Sequence, residues 1–562
     1  MQRWQLITTA MAALLLSLVV VPMRAGASQP DPVRRAEALF SKYTKAGSPG
    51  VAVAVIRRGD VVFARGYGLA DVQRRIPIST STIFNVGSVS KQFTGLAVAM
   101  LVSEGKLSLD ADVRTQIPQL QPELPGISLQ QMSQHTSGLR DFIGALRLAD
   151  VDPRDPISFS QMLKLVTRQK SVNFSPGTQY SYSNTNYALL AEIVERVRGR
   201  AFPLWMSEQV FEPLGMTHTR YLLPPVSTTP GRAMSYLRNP EGEVQYAPDN
   251  LSVYGCSSLL SSVDDLVLWV RNFGDARVGG RDSVTLMQSP TEAISGTDIK
   301  YAFGLEHQMY RGQPTLEHSG GWAGFTSNVM YFPENNSGVI VLSNFGEVHP
   351  INTARALADL FLADILAPVD RPRPVTKHKA RVPARILDRY VGAYRLGAGW
   401  YVRITRDGRS LVATVASEAK ATLIARSETK FWIQDYDAEI EFIADASAPA
   451  SAISFRGRQA PRVDEAGLDP PKKLNEYVGH YTSDELGISY PIDLRSGSLV
   501  LVTRSSRPIK LSHAWRDDFS GSSYPFTSVA FERDERGVIT GFLVNANERN
   551  RDVKFVRRPD AS

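Results

Sequence analysis

The chain has 562 residues, of which 43% are hydrophobic and 21% charged, an ordinary globular composition that excludes wholesale disorder. Its length allows several domains and a large buried core. The formal charge of +7 is a small excess for such a chain, and no Lys/Arg block with interleaved aromatics implies a nucleic-acid partner.

The first 27 residues read as a secretory signal peptide. Arg3 supplies the positive charge, Ile7 to Val21 is apolar, and Ala25-Gly26-Ala27 is a small-residue cleavage site. The alternative is a transmembrane anchor, for which the apolar run is short. With cleavage, the protein is expected in the periplasm or outside the cell, without a stable membrane anchor. The single cysteine, Cys256, excludes an intrachain disulfide. It reads as a packed small hydrophobe rather than a nucleophile, because "YGCSSLLSSVDDL" brings no histidine near it.

From residue 28 to 366 the pattern alternates. "VAVAVIRRGDVVFARGYGLAD" predicts two strands joined at Arg58-Gly59-Asp60. Helices are predicted over Ser160 to Arg168, over Asn186 to Arg198, and in "SSVDDLVLWVRNFG", capped by Ser261 or Ser262. "TLEHSGGWAGFTSNVMYFPENNSGVIVLSNF" predicts three antiparallel strands, with turns near Gly320-Gly321 and at Asn335-Asn336-Ser337-Gly338. "NTARALADLFLADIL" closes the region as an amphipathic helix. The order implies one antiparallel sheet flanked by terminal helices, with a helical subdomain inserted, an α+β arrangement.

Residues 367–383, Pro-rich and basic, read as a linker. Beyond it "LDRYVGAY" (387–394) and "LNEYVGHY" (474–481) open two segments of short strands, 384–466 and 467–562. Each segment predicts a small antiparallel β-barrel; a flat sandwich is the alternative.

The candidate chemistry begins at Ser88 and Lys91, three residues apart and so on one helix face. A cation in the first turn of a helix faces the positive end of the dipole. Either Lys91 is a solvated surface residue, or its placement lowers its pKa so that it can take a proton from Ser88. Backbone N–H groups at such a helix start favour a developing oxyanion. Two further motifs follow, Tyr182-Ser183-Asn184 and His318-Ser319-Gly320.

In this order, SxxK, YxN and HxG resemble the three-motif signature of the penicillin-recognising serine hydrolases. The similarity is strongest to the class C β-lactamase branch and covers roughly residues 35 to 365. It implies a β-lactamase-like fold in which Ser88 is the acylated nucleophile. Lys91 and Tyr182 would be the proton-transfer pair, the phenol's pKa being lowered by neighbouring cations. Asn184 would bond Lys91 and the substrate amide, and Ser88 and Gly321 would supply the oxyanion-hole N–H groups. His318, Ser319 and Gly320 would line the strand along which substrate lies. His135, in "HTSGL", reads as structural. The motif has His318 where β-lactamases and carboxypeptidases usually have lysine, which weakens carboxylate binding.

With two lipocalin-like barrels behind it, the chain resembles the bacterial D-aminopeptidases, in which a barrel loop reaches the active site. "SDELGISY" and "FRGRQAPRVDEAG" are the candidate loops here. The implied partner is a small peptide, amide or ester; no cofactor or metal is expected, and a homodimer is possible. An esterase of the same fold, a class C-like β-lactamase or D,D-peptidase, and a non-catalytic peptidoglycan or penicilloyl sensor are the competing readings.

Overall fold

The structure, a computed structural model, describes residues 31–559 apart from 45–46, 153, 224–228, 290–299, 369–379, 398–399, 416–419, 434–437, 446, 456–457, 465–466, 468–469 and 505–507. The signal segment and most of the 367–383 linker lie outside the described residues.

A seven-stranded antiparallel sheet organises the first domain. Its spatial order is Tyr301–Ala302, Leu305–Tyr310, Gln313–Trp322, Phe325–Phe332, Ser337–Ser343, Val51–Arg57 and Asp60–Tyr67. The strand Val51–Arg57 shows why so many of its residues are apolar: both faces are covered. Ala52, Ala54 and Ile56 pack toward the helical subdomain. Val51, Val53 and Val55 pack against helices Pro32–Phe40 and Pro350–Phe361 through Phe40, Ala354 and Leu357. The period of two along a strand sends alternate side chains into the two layers.

The helix Ser90–Ser103 runs through the middle of this domain, with eleven of its fourteen residues buried. A helix surrounded on all sides has no polar face to show, so its apolar residues recur all round the axis. Asn184–Arg198 and Val263–Asp275 pack near it, the latter capped by Ser262, whose Oγ accepts from the Asp265 N–H at 3.2 Å.

One predicted turn is corrected. Gly320 and Gly321 lie inside the strand Gln313–Trp322, and the reversal falls at Ala323-Gly324, between the paired residues Trp322 and Phe325. Gly320 is needed for close approach rather than for turning, as the site shows.

Both C-terminal segments close into eight-stranded antiparallel barrels, Gly392–Val463 and Gly479–Arg558, which sets aside the sandwich alternative. The repeated sequence has a repeated structural job. In each copy a short helical turn precedes the first strand, and the second tyrosine donates to the carbonyl of the first: Tyr394 to Tyr390 and Tyr481 to Tyr477, both at 2.8 Å. Stacked or edge-on rings fill the interiors, including Tyr390 on Phe442 at 4.2 Å and Phe542 on Phe555 at 4.8 Å.

The second barrel shares one apolar cluster with the helical subdomain, whereas the first has a core of its own. Tyr490 donates to the Leu148 carbonyl at 2.8 Å. Arg140, 2% exposed at its side chain, pairs with Glu485 of the second barrel at 3.0 Å. Removing one partner of such a pair leaves a buried charge uncompensated. Glu485→Ala is therefore expected to cost about 3 kcal/mol of stability, read as a lowered denaturant midpoint, with Glu485→Gln intermediate because an amide oxygen still accepts.

Candidate active site

Residues Gly87–Val89 form a short 3₁₀ turn that runs directly into the helix Ser90–Ser103. Ser88 is partly exposed at this entrance, while Lys91, one turn on, is fully buried. The Lys91 Nζ lies 3.1 Å from Ser88 Oγ, 2.8 Å from Asn184 Oδ1 and 2.7 Å from the Cys256 carbonyl. Burial pushes its pKa down to about 8, against the opposing pull of Cys256 and Asp141, while the Arg549 cation adds to the lowering.

This set of partners fits both protonation states. An ammonium can donate to all three oxygens. A neutral amine keeps its two N–H groups on the two carbonyl oxygens, leaving its lone pair for the Ser88 hydroxyl proton. The geometry is that of a base poised beside a hydroxyl.

Asn184 opens the helix Asn184–Arg198. Its backbone N–H and its Nδ2 both donate to Asp141 Oδ2, at 2.7 and 2.8 Å. A carboxylate at a helix start satisfies an orphan N–H and suits the dipole. Asp141 thereby fixes the amide so that Oδ1 faces Lys91.

Tyr182 stands over the same point, its ring centroid 4.8 Å from Lys91 Nζ and 4.9 Å from the Arg549 guanidinium carbon. Burial holds its phenol well above the usual tyrosine value; a hydrogen bond to Ser88 and the Arg549 cation pull the other way without prevailing. This corrects the expected lowering of the Tyr182 pKa: in the resting site desolvation outweighs the cations, and the phenol keeps its proton.

The third motif lies flush against the Val86–Ser88 turn. A Cβ added at Gly320 would sit 2.1 Å from the Val86 carbonyl oxygen and 2.9 Å from the Ser88 nitrogen. A Cβ at Gly87, whose φ is +53°, would sit 2.7 Å from the Gly321 nitrogen. Only glycine at 87 and 320 brings the two N–H groups at 88 and 321 this close together. Beyond Glu317, which pairs with Glu306, the strand Gln313–Trp322 pairs on one side only among the described residues, so that residues 318–322 present an edge free of a described strand partner.

His318 does not line that edge. Its side chain is buried, with Nε2 2.9 Å from the Tyr301 hydroxyl and Nδ1 2.5 Å from the Ser319 carbonyl. Burial drives its pKa down to about 3. His135 is equally buried, its Nδ1 accepting from the Ser183 N–H at 3.2 Å, its ring 4.3 Å from that of Tyr182, and its pKa pushed well below 6.5 by desolvation. Both rings are neutral packing pieces of an aromatic box behind Tyr182.

Several residues of the site were not singled out from the sequence. Asp141 follows "HTSGLR" but nothing local marks it as the holder of Asn184. Cys256 contributes its backbone carbonyl, while its thiol, pushed up to about 12 by burial, stays protonated. Arg549 comes from the second barrel. Of the expected loops, "SDELGISY" has its Glu485 taken by Arg140, and residues 458–463 of "FRGRQAPRVDEAG" form the last strand of the first barrel, Arg458–Val463, the rest of that stretch lying partly outside the described residues. The segment that arrives is "NANERNRD", residues 545–552, between the last two strands of the second barrel.

With this geometry in hand, comparison with known proteins is informative. Residues 36–364 match the beta-lactamase family, and the chain belongs to it. Penicillin-binding protein 4* of Bacillus subtilis is 28% identical over 419 residues, covering 71% of this chain and 90% of that protein. D-aminopeptidases of Gluconobacter oxydans and Cereibacter sphaeroides are 29% and 31% identical over 310 and 301 residues. Those alignments take in 55% and 53% of this chain, and 58% and 57% of the enzymes' own lengths. The fold is similar to that of an octameric penicillin-binding protein homologue from Pyrococcus abyssi, with TM-score 0.55 and 21% identity over 84% of this chain and 98% of that one. It is similar also to SurE, with TM-score 0.54 and 21% identity over 77% of this chain and 99% of that one. The protein is thus a serine hydrolase of the beta-lactamase family.

Gly320→Ala tests the packing of strand on turn. The added methyl must displace backbone atoms, and a shift of about 1 Å at reacting groups costs on the order of 100-fold in rate. The variant is expected to fold yet to acylate at least about 100-fold more slowly, measured as the pre-steady-state burst with an activated ester.

Proposed function

We propose that the protein hydrolyses short D-residue peptides and amides through an acyl-enzyme on Ser88, as a D-aminopeptidase-like enzyme exported from the cytoplasm. The observation that carries the reading is the fully buried Lys91 with its three oxygen partners, one of them the Ser88 hydroxyl. Support for the substrate class comes from the D-aminopeptidase relatives.

In this reading Ser88 Oγ attacks the substrate carbonyl carbon as Lys91 takes the hydroxyl proton. The carbonyl oxygen becomes an oxyanion held by the N–H groups of Ser88 and Gly321. Collapse breaks the C–N bond, and the proton passes from Lys91, by way of Tyr182, to the departing amine. Water then attacks the acyl carbon as its proton moves onto the same route, and the acyl C–O bond to Ser88 breaks as that proton passes on to Ser88 Oγ, releasing the acid. The substrate backbone lies along the open edge at 318–321, pairing as an added strand would. Asn184, already bonded to Lys91, offers its remaining Nδ2 proton to the substrate amide.

An esterase of the same fold is the second reading. The partly exposed Ser88 and open strand edge would accept an ester carbonyl as readily as an amide. A class C-like β-lactamase or D,D-peptidase is the third reading; the third motif itself offers it no cation, because the buried His318 is neutral.

A rate comparison separates these. D-Alanine p-nitroanilide, its L-isomer, a short acyl ester and a chromogenic cephalosporin are compared by kcat/KM, with Ser88→Ala beside the wild type. The D-anilide is expected to lead, and Ser88→Ala to lose at least about 1,000-fold; leadership by the L-isomer or the cephalosporin refutes the assignment.

The pH profile follows from Lys91. Its active form is the neutral amine, so kcat/KM should rise with pH and level off above about 8. His135 and His318 are already neutral throughout that range, so no limb near about 6.5 is expected from them. Tyr182→Phe should cost about 100- to 10,000-fold in kcat/KM, checked with the same anilide.

A further inference from the structure

We propose that Arg549, delivered by the second barrel, anchors a carboxylate on the leaving-group side of the substrate, so that the site favours D-residue peptides whose departing residue is a free acid. This rests on the acyl-enzyme reading given above and adds the chemistry of the departing half.

Arg549 is half-buried beside Tyr182. Its described contact is the Tyr182 ring at 4.9 Å, and among the described residues no carboxylate lies within ion-pairing distance of it. Its neighbours differ. Arg140 is paired with Glu485, and Arg551 donates to the Glu548 carbonyl at 2.9 Å and to Gln179 Oε1 at 3.2 Å.

The position is built, not incidental. The Arg549 carbonyl accepts from the Asp141 N–H at 3.1 Å and from Asn173 Nδ2 at 2.8 Å. On the next turn of the loop the Arg551 N–H donates to Asn173 Oδ1 at 2.8 Å, and Arg140 Nε donates to the Arg551 carbonyl at 3.1 Å. The main chain on both sides of Arg549 is thus fixed to the catalytic domain, and the side chain is aimed by it. Holding a guanidinium this near Lys91 sets two cations against each other, which an arriving anion would relieve.

The side of the substrate is set by the proton path. The departing amine must take its proton at Lys91 and Tyr182, and Arg549 stands on Tyr182. The α-carboxylate of a departing amino acid is two bonds from that amine. A guanidinium meets a carboxylate in a two-pronged, charge-assisted hydrogen bond. No other cation can serve from the third motif, because both His318 nitrogens are engaged inside the aromatic box. The barrel supplies the charge that the motif strand lacks.

The test compares D-Ala-Gly with D-Ala-Gly-NH₂, which share the scissile bond and differ only in the terminal charge, using the full-length enzyme. Wild type is expected to favour the acid by about 10- to 100-fold in kcat/KM, mainly through KM. Arg549→Gln should bring the ratio to within about twofold and Arg549→Lys should restore part of it. D-Alanine p-nitroanilide, which has no carboxylate, is run with each variant and with Ser88→Ala. Equal rates on acid and amide in the wild type would overturn the proposal without any variant being needed, as would an unchanged preference in Arg549→Gln. Loss of the acid preference with Ser88-dependent anilide turnover intact in wild type separates this inference from the acyl-enzyme reading. If Ser88→Ala turns over the anilide at the wild-type rate, that reading falls, and this proposal with it.

Discussion

A lysine ammonium sealed inside a domain is unstable unless its surroundings are built for it, and Lys91 is the group around which the catalytic domain is arranged. Removing a charge from water costs on the order of several kcal/mol. The chain offsets that with three oxygens, each from a different element: Ser88 from the entrance turn, Asn184 from the start of a second helix, and Cys256 from a loop. The offset is incomplete, so the pKa settles near 8 rather than in the usual lysine range. In the proposed mechanism that shortfall is what lets the residue act as a base, since a lysine fully compensated by carboxylates would keep its proton.

From Lys91 the constraint runs outward as a chain of hydrogen bonds. Asn184 Oδ1 accepts from Lys91, Asp141 Oδ2 accepts from Asn184, and the Asp141 N–H donates to the carbonyl of Arg549 in the second barrel. The barrel is therefore bonded into the architecture of the candidate site and is not an appendage. Its apolar core is continuous with that of the helical subdomain, while the first barrel keeps a separate core and touches the second through Arg395 and Asp518 at 3.6 Å.

Much of this was legible in the sequence, and the reason is local pattern. The repeated Tyr-Val-Gly segments exposed two barrels because each copy makes the same tyrosine-to-carbonyl bond. The three motifs pointed to Ser88, Tyr182 and the 318–321 strand because each is a short contiguous string. What was hidden is what depends on distant chain. Arg549 lies 367 positions from Tyr182 and has no motif of its own. Asp141 does its work through Asn184, and Cys256 through a carbonyl that any residue could supply. Gly320-Gly321 suggested a turn, since glycine pairs often make one, but here the missing side chain of Gly320 lets a strand touch the Val86–Ser88 turn. The Tyr182 pKa was expected to fall because cations are near it, and burial decided otherwise.

The account's central claim is the depressed pKa of Lys91. It is tested most directly by NMR titration of the enzyme with ¹³C-labelled lysine, the Lys91 resonance being assigned by its loss in Lys91→Met. The claim predicts that this resonance titrates near 8, apart from the remaining lysines. Titration together with the bulk, near about 10.4, would contradict it.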